Sequence, residues 1–275
     1  MKHNPWLVRP RPNSQASMRL FCFPYSGGSA SLYYAWASCL PSAIEVCAVQ
    51  LPGRGTRFTE PLCAQLTTLV REIADALLSY FDKPFAFFGH SMGALIGFEL
   101  ARYLRRQYRL IPVRLLVSGH SAPQMPDQHA PLHCLPDAEL LAKLRELKGM
   151  PERVLENAEL LELVLPILRA DLTLCETYVY APDEPLDCGI SAFGGLADDY
   201  VSRAELEAWQ TQTLGAFAVR TFPGNHFFVN TARSQVLETI GRELGPIVSA
   251  PMTPENSHAY ARTVAFSAAT SAPSA

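Results

Sequence analysis

The segment Phe85–Leu100, FAFFGHSMGALIGFEL, restricts the fold of this chain more than any other stretch. Phe85, Ala86, Phe87 and Phe88 form an unbroken apolar run. Such a run suits a strand covered on both faces, as in a buried parallel sheet. Gly89-His90-Ser91-Met92-Gly93 follows, and beyond it the apolar residues take up helical spacing. A chain that passes from strand to helix this abruptly needs glycine where the two backbones close on each other. G-x-S-x-G in this setting holds its serine on a strained turn, with the hydroxyl pushed clear of the sheet. The helix that starts near Met92 points its first amides at the same place, where they favour developing negative charge.

The flanking chain repeats the alternation. MRLFCF (Met18–Phe23), IEVCAVQLPG (Ile44–Gly53), VRLLVSG (Val113–Gly119), GISAFGG (Gly189–Gly195) and FAVRTFPG, which starts at Phe217, read as further strands. LTTLVREIADALLSYF places Leu66, Leu69, Val70, Ile73, Ala74, Leu77 and Leu78 on one helical face. Ser202 and Glu205 have the S-x-x-E spacing of a helix capping box. Strands alternating with helices predict an α/β fold with a mostly parallel central sheet flanked by helices. From about Pro123 to Pro185 the alternation stops, and DAELLAKLRELKG and ENAELLELVLPILRADLTLCETY read as helices. We read residues 123–185 as a helical lid inserted into one domain of residues 1–250. Residues 251–275, rich in alanine, serine and proline, read as a poorly ordered tail.

Bulk properties narrow the function. A net charge of −3 and a pI of about 6.2 offer no large positive field for nucleic acid. No apolar run is long enough to span a membrane, and the N-terminus lacks the apolar region of a secretory signal. Seven scattered cysteines form no Cys-x-x-Cys pair, so zinc and redox readings are weak and a reducing, cytoplasmic setting is expected.

A serine hydroxyl is a poor nucleophile without a positioned base. On a sheet with this elbow the order is Ser, then Asp or Glu, then His. His226, in FPGNHFFV directly after the last strand, stands where a base must sit; His258 falls in the tail. The acid should follow the preceding strand, where LADDYVS offers Asp198 and Asp199. His90 shares the turn of the nucleophile and should point elsewhere, and His120 suits the pocket wall. The oxyanion hole needs two backbone amides. One is expected from Met92, the other from the glycine-rich loop FPYSGGSA, with Ser26 ahead of Tyr25. That loop lacks the Lys-Ser/Thr ending of a nucleotide-binding P-loop.

Several motifs in one order resemble the stand-alone (type II) thioesterases of nonribosomal peptide and polyketide synthesis, and are similar to the thioesterases associated with fatty acid synthase. They are FPYSGGSA, VQLPGRGTRF, FGHSMGALIGFELARYLR, LLVSGHSAP, LPILRADLTLCETYVY, FGGLADDYVS and FPGNHFFV, within roughly Pro5 to Pro246. The resemblance implies an α/β-hydrolase fold and a serine hydrolase. Its substrates would be acyl thioesters on the phosphopantetheine arm of acyl- or peptidyl-carrier domains, freed of aberrant or stalled acyl groups. It carries over Ser91, Asp198 and His226 as the triad, with no cofactor and no metal. Three positions depart from the pattern: Asp199 where proline often follows the acid, His120 where arginine is expected, and Asn225 where glycine or aspartate is common.

A small-molecule carboxylesterase or peptidase on the same fold is the alternative, since fold does not fix substrate. A non-catalytic partner-binding module is the third reading. A monomer is the default expectation. For carrier docking, Arg54 and Arg57 in PGRGTRF are expected near the site entrance. Arg102, Arg105, Arg106 and Arg109 are a weaker basic patch on the helix after the elbow.

Overall fold

A computed structural model describes residues 4–126, 129–147, 149–150 and 152–249. The expected tail of residues 251–275, His258 included, lies outside the described residues.

Among the described residues seven strands form one sheet in the order β1-β3-β2-β4-β5-β6-β7. They are β1 (Leu7–Val8), β2 (Met18–Phe23), β3 (Ile44–Val49), β4 (Phe85–His90), β5 (Arg114–Ser118), β6 (Gly189–Gly195) and β7 (Phe217–Phe222). All neighbours pair in parallel except β1, which runs antiparallel to β3 at the edge. β1 was not foreseen, because two residues carry no periodic signal. The second strand is also shorter than expected: it ends at Val49, and residues 50–53 already belong to the following loop.

The helices are α1 (Leu66–Leu77), α2 (Met92–Tyr108), α3 (Asp137–Leu147), α4 (Glu152–Leu155), α5 (Ala158–Glu176), α6 (Arg203–Glu207), α7 (Phe228–Thr231) and α8 (Arg233–Ser249). α1 and α2 cover one face of the sheet, where Ile73, Leu77, Ile96 and Phe98 pack on Phe21, Phe85 and Phe87. The alternate residues of the same strands, Leu20, Cys22, Ala86 and Phe88, meet Trp36, Val236 and Ile240 on the other face. Every residue of β2, β3 and β4 is buried, as strands covered on both sides require. The Ser202–Glu205 capping box opens α6.

The segment from 123 to 185 carries α3, α4 and α5 and, among its described residues, no strand. Leu140 and Leu144 of α3 pack against Leu168 of α5 in a small cluster of their own. Among the described residues no helix is long and apolar enough to cross a membrane. Among the described residues no disulfide joins Cys22, Cys39, Cys47, Cys63, Cys134 or Cys188.

Candidate active site

The elbow is built by close contact. A Cβ on Gly89 would lie 1.9 Å from the Gly93 carbonyl oxygen, so β4 and α2 can meet at this angle only with glycine there. A Cβ on Gly93 would lie 2.2 Å from the Phe23 carbonyl oxygen, which brings the start of α2 against the end of β2. Between them Ser91 holds φ +51° and ψ −120°, a region that non-glycine residues seldom occupy. Its amide donates to the Ser118 carbonyl at 2.7 Å. Strain of this kind persists only where the surroundings over-determine it. Here the two glycine contacts and the bond to β5 do so.

Asp198 and His226 are brought together by two loops that run side by side. The Leu196 amide donates to Phe222 O at 2.8 Å and the Ala197 amide to Gly224 O at 2.9 Å. Gly224 takes φ +120°, and a Cβ on Gly195 would lie 2.5 Å from the Asn225 oxygen. The result is His226 Nδ1 at 3.0 Å from Asp198 Oδ2. The other oxygen of Asp198 accepts from the Tyr200 and Val201 amides at 2.9 and 3.2 Å. Its side chain is 0% exposed and that of His226 12%. Asp199 is exposed and takes no part in this pairing. Asn225 caps its own loop, its side-chain oxygen accepting from the Phe227 amide at 3.0 Å.

Ser91, His226, Ser26 and Met92 all line one cavity of about 720 Å³. Much of its wall is apolar and comes from the inserted helices, through Leu144, Leu147, Leu168 and Leu172. Met92 is the first residue of α2, so its amide has no acceptor within the helix. Ser26 lies in a turn closed by the Gly28 amide on Tyr25 O at 2.8 Å, and its own amide meets no acceptor among the described residues. Ser91 and the two residues whose amides have no acceptor thus line one chamber, the elements that an oxyanion hole requires.

Two further histidines lie close to this site. His90 is buried, its Nδ1 at 2.9 Å from Ser118 Oγ, and its ring packs 5.2 Å from that of His226. Burial first, then the neighbouring His226, holds its pKa well below the usual histidine value, so it is a neutral packing group. His120 lines the cavity, with Nδ1 at 2.7 Å from Ser121 O, and its carbonyl accepts from Trp209 Nε1.

The docking arginines are a correction. Arg54 is 5% exposed and forks onto Asp171 of α5, which is 1% exposed. Its Nη1 and Nη2 donate at 2.5 and 2.7 Å. Arg57 is buried as well: it pairs with Glu60, donates to Gln50 O, and stacks over the Trp6 ring at 3.7 Å. Arg102 and Arg105 bind the Ala181, Glu184 and Pro185 carbonyls, and Asp183 draws in Arg102, Arg105 and Arg106. These cations secure loops and are not a free basic patch.

Sequence reasoning missed Asp171. One signal was available: with Ile167, Leu168 and Leu174 it falls at i, i+1, i+4 and i+7 on the buried stripe of α5. A carboxylate on an apolar stripe demands a partner.

The model of the thioesterase domain family matches residues 18–244. The chain is 48% identical over 238 residues to the linear gramicidin dehydrogenase LgrE of Brevibacillus parabrevis, covering 86% of this chain and 90% of that protein. Among solved structures it is similar to RedJ, a thioesterase from the prodiginine biosynthetic pathway in Streptomyces coelicolor. That match has a TM-score of 0.79 and 40% identity, over 86% of this chain and 92% of RedJ. It is also similar to BorB, the type II thioesterase from the borrelidin biosynthetic cluster. There the TM-score is 0.80 at 37% identity, over 87% of this chain and 97% of BorB.

Proposed function

This chain belongs to the thioesterase domain family, and from that premise we propose that it hydrolyses acyl thioesters on the phosphopantetheine arms of carrier domains in nonribosomal peptide or polyketide synthesis. The observation that carries the proposal is the cavity shared by Ser91, in strained elbow geometry, and by His226, whose Nδ1 is bonded to buried Asp198.

In the proposed reaction Ser91 Oγ attacks the thioester carbonyl carbon while His226 Nε2 takes its proton. Asp198 fixes the tautomer of His226 and stabilises the imidazolium. The Met92 and Ser26 amides hold the oxyanion, each worth about a hundred- to a thousandfold in rate. The C–S bond breaks and the pantetheine sulfur leaves as thiolate or, protonated by His226, as thiol. Water then adds to the acyl-serine with His226 as base, and the free acid departs. No cofactor or metal enters these steps. The apolar wall from α3 and α5 would act as the lid and receive the acyl chain.

The word dehydrogenase in the name of the gramicidin relative does not suit the turn after β2. That turn reads PYSGGSA, where a Rossmann dinucleotide site has G-x-G-x-x-G. The setting we propose is a cytoplasmic monomer acting on carrier domains. A release assay with carrier domains bearing different acyl groups tests the reading, with Ser91→Ala as control. Faster release from thioesters than from oxygen esters of the same acyl group supports it. The reverse preference supports the carboxylesterase alternative.

A further inference from the structure

We infer that Asp171, paired with Arg54, is a positioning residue for the oxyanion loop and makes that loop depend on the seating of helix α5. The inference rests on the assignment of the Ser26 amide as an oxyanion donor.

One oxygen of Asp171 serves two partners. Oδ2 accepts from the Gly27 amide at 2.7 Å and from Arg54 Nη1 at 2.5 Å, while Oδ1 accepts from Arg54 Nη2 at 2.7 Å. Arg54 is itself pinned to the loops on either side, with Nε on Pro52 O and Nη1 on Gly28 O at 3.3 and 3.5 Å. The Gly27 N–H lies in the peptide plane that joins Ser26 to Gly27. Fixing that plane fixes ψ of Ser26, and with it the residue assigned as the second oxyanion donor. Charge-assisted bonds of this kind are short and directional. A buried carboxylate without a cation would shed its charge or disrupt its surroundings. Arg54 is that cation.

The same helix forms the chamber wall. Leu168, one turn before Asp171, lines the cavity beside Ser91. Gly27 takes φ +76°, and a Cβ there would lie 2.8 Å from Leu168 Cδ2, so the loop is pressed directly onto α5. A shift of α5 that widens the acyl chamber must therefore also pull Asp171 from Gly27. The oxyanion donor is in place when the lid helix is seated, and is released when it lifts. Such a device acts on the transition state and leaves substrate binding nearly untouched.

Two double variants separate positioning from packing. Arg54→Met with Asp171→Leu removes the pair as an apolar replacement, which buried ion pairs often tolerate. Arg54→Met with Asp171→Asn keeps an acceptor for the Gly27 amide. Each is compared with wild type on acetyl-CoA and on p-nitrophenyl acetate, with thermal melting and hydrogen exchange at Gly27. The leucine variant should lose about ten- to a hundredfold in kcat, part of the value of an oxyanion donor. Its KM should stay within about threefold and its Gly27 exchange should be fast. The asparagine variant should keep kcat within about fivefold. Equal kcat in the two variants, or a loss confined to KM, overturns the inference. Asp171→Glu provides a second reading, since it keeps the charge and moves the oxygen by one methylene. Its kcat should fall about tenfold at unchanged KM. An unaltered kcat there also overturns the inference. A wild type that prefers p-nitrophenyl acetate refutes the thioesterase reading alone, because the variant ratios are still read on that ester.

Discussion

Asp198 and His226 stand 28 positions apart in the chain, yet Oδ2 of one lies 3.0 Å from Nδ1 of the other. The contact is made by two loops at the carboxyl edge of β6 and β7, each ending in glycine-dependent geometry. Because the Asp198 side chain is fully enclosed and its other oxygen is held by two amides, the imidazole meets a fixed acceptor.

Asp198→Asn should lower kcat by about a hundred- to ten-thousandfold, because the amide no longer dictates the tautomer of His226. Asp199→Asn should stay within about threefold, as exposed substitutions away from the site do. Steady-state kinetics of both variants on one thioester checks the assignment. Equal losses would return the choice between the two aspartates to the open.

Ser91→Ala should reduce turnover by at least about a thousandfold while leaving the melting temperature unchanged or raised, since alanine loses only the hydroxyl and the residue sits in a strained turn. Ser91 should also be the residue labelled by a fluorophosphonate probe. Folded protein without an adduct would favour a non-catalytic module.

Arg54→Glu is expected to act through stability. Breaking a buried ion pair costs about 3–5 kcal/mol, and here it sets two carboxylates against each other. Denaturant unfolding should show the loss. Turnover of carrier-bound and small thioesters by the remaining folded protein should fall together. A loss confined to the carrier-bound substrate would restore a docking role for this arginine.

His90 predicts an acid-side loss of stability. Its folded pKa is depressed by burial, so below the ordinary value of 6.5 the unfolded chain binds a proton that the folded chain refuses. Stability from this group is complete above that value and falls by about 1.4 kcal/mol per pH unit below it, until the folded pKa is reached. The stability lost between pH 7.5 and pH 5.5 in denaturant melts should therefore be smaller in His90→Gln than in wild type. An identical difference in the two proteins would contradict the sign.

How much of this could be read in the sequence depended on range. The elbow was legible because strand, glycines and helix are consecutive, and the sheet because most of its parallel strands are local apolar runs. Ser91 and His226 were named from their places after strands, and the acid was narrowed to two neighbours. Asp198 and Asp199 are chemically identical in the sequence, and only the fold buries one and exposes the other. Arg54 and Asp171 lie 117 positions apart, so nothing local tells that helix α5 will cover Arg54 and bury it. The arginines of α2 failed for the same reason, since their acceptors come from residues 181–185 of a distant connection. β1 was too short to carry any pattern.

The central claim is that an acyl group passes from a carrier thioester onto Ser91 before water removes it. Mass spectrometry after rapid quenching reads that directly, with Asp198→Asn mixed with an acetylated carrier domain so that the intermediate builds up. The account predicts one acetyl group on the peptide that contains Ser91, appearing as free carrier thiol appears and absent in Ser91→Ala. An acetyl group on another residue, or carrier thiol released just as fast by Ser91→Ala, would contradict it.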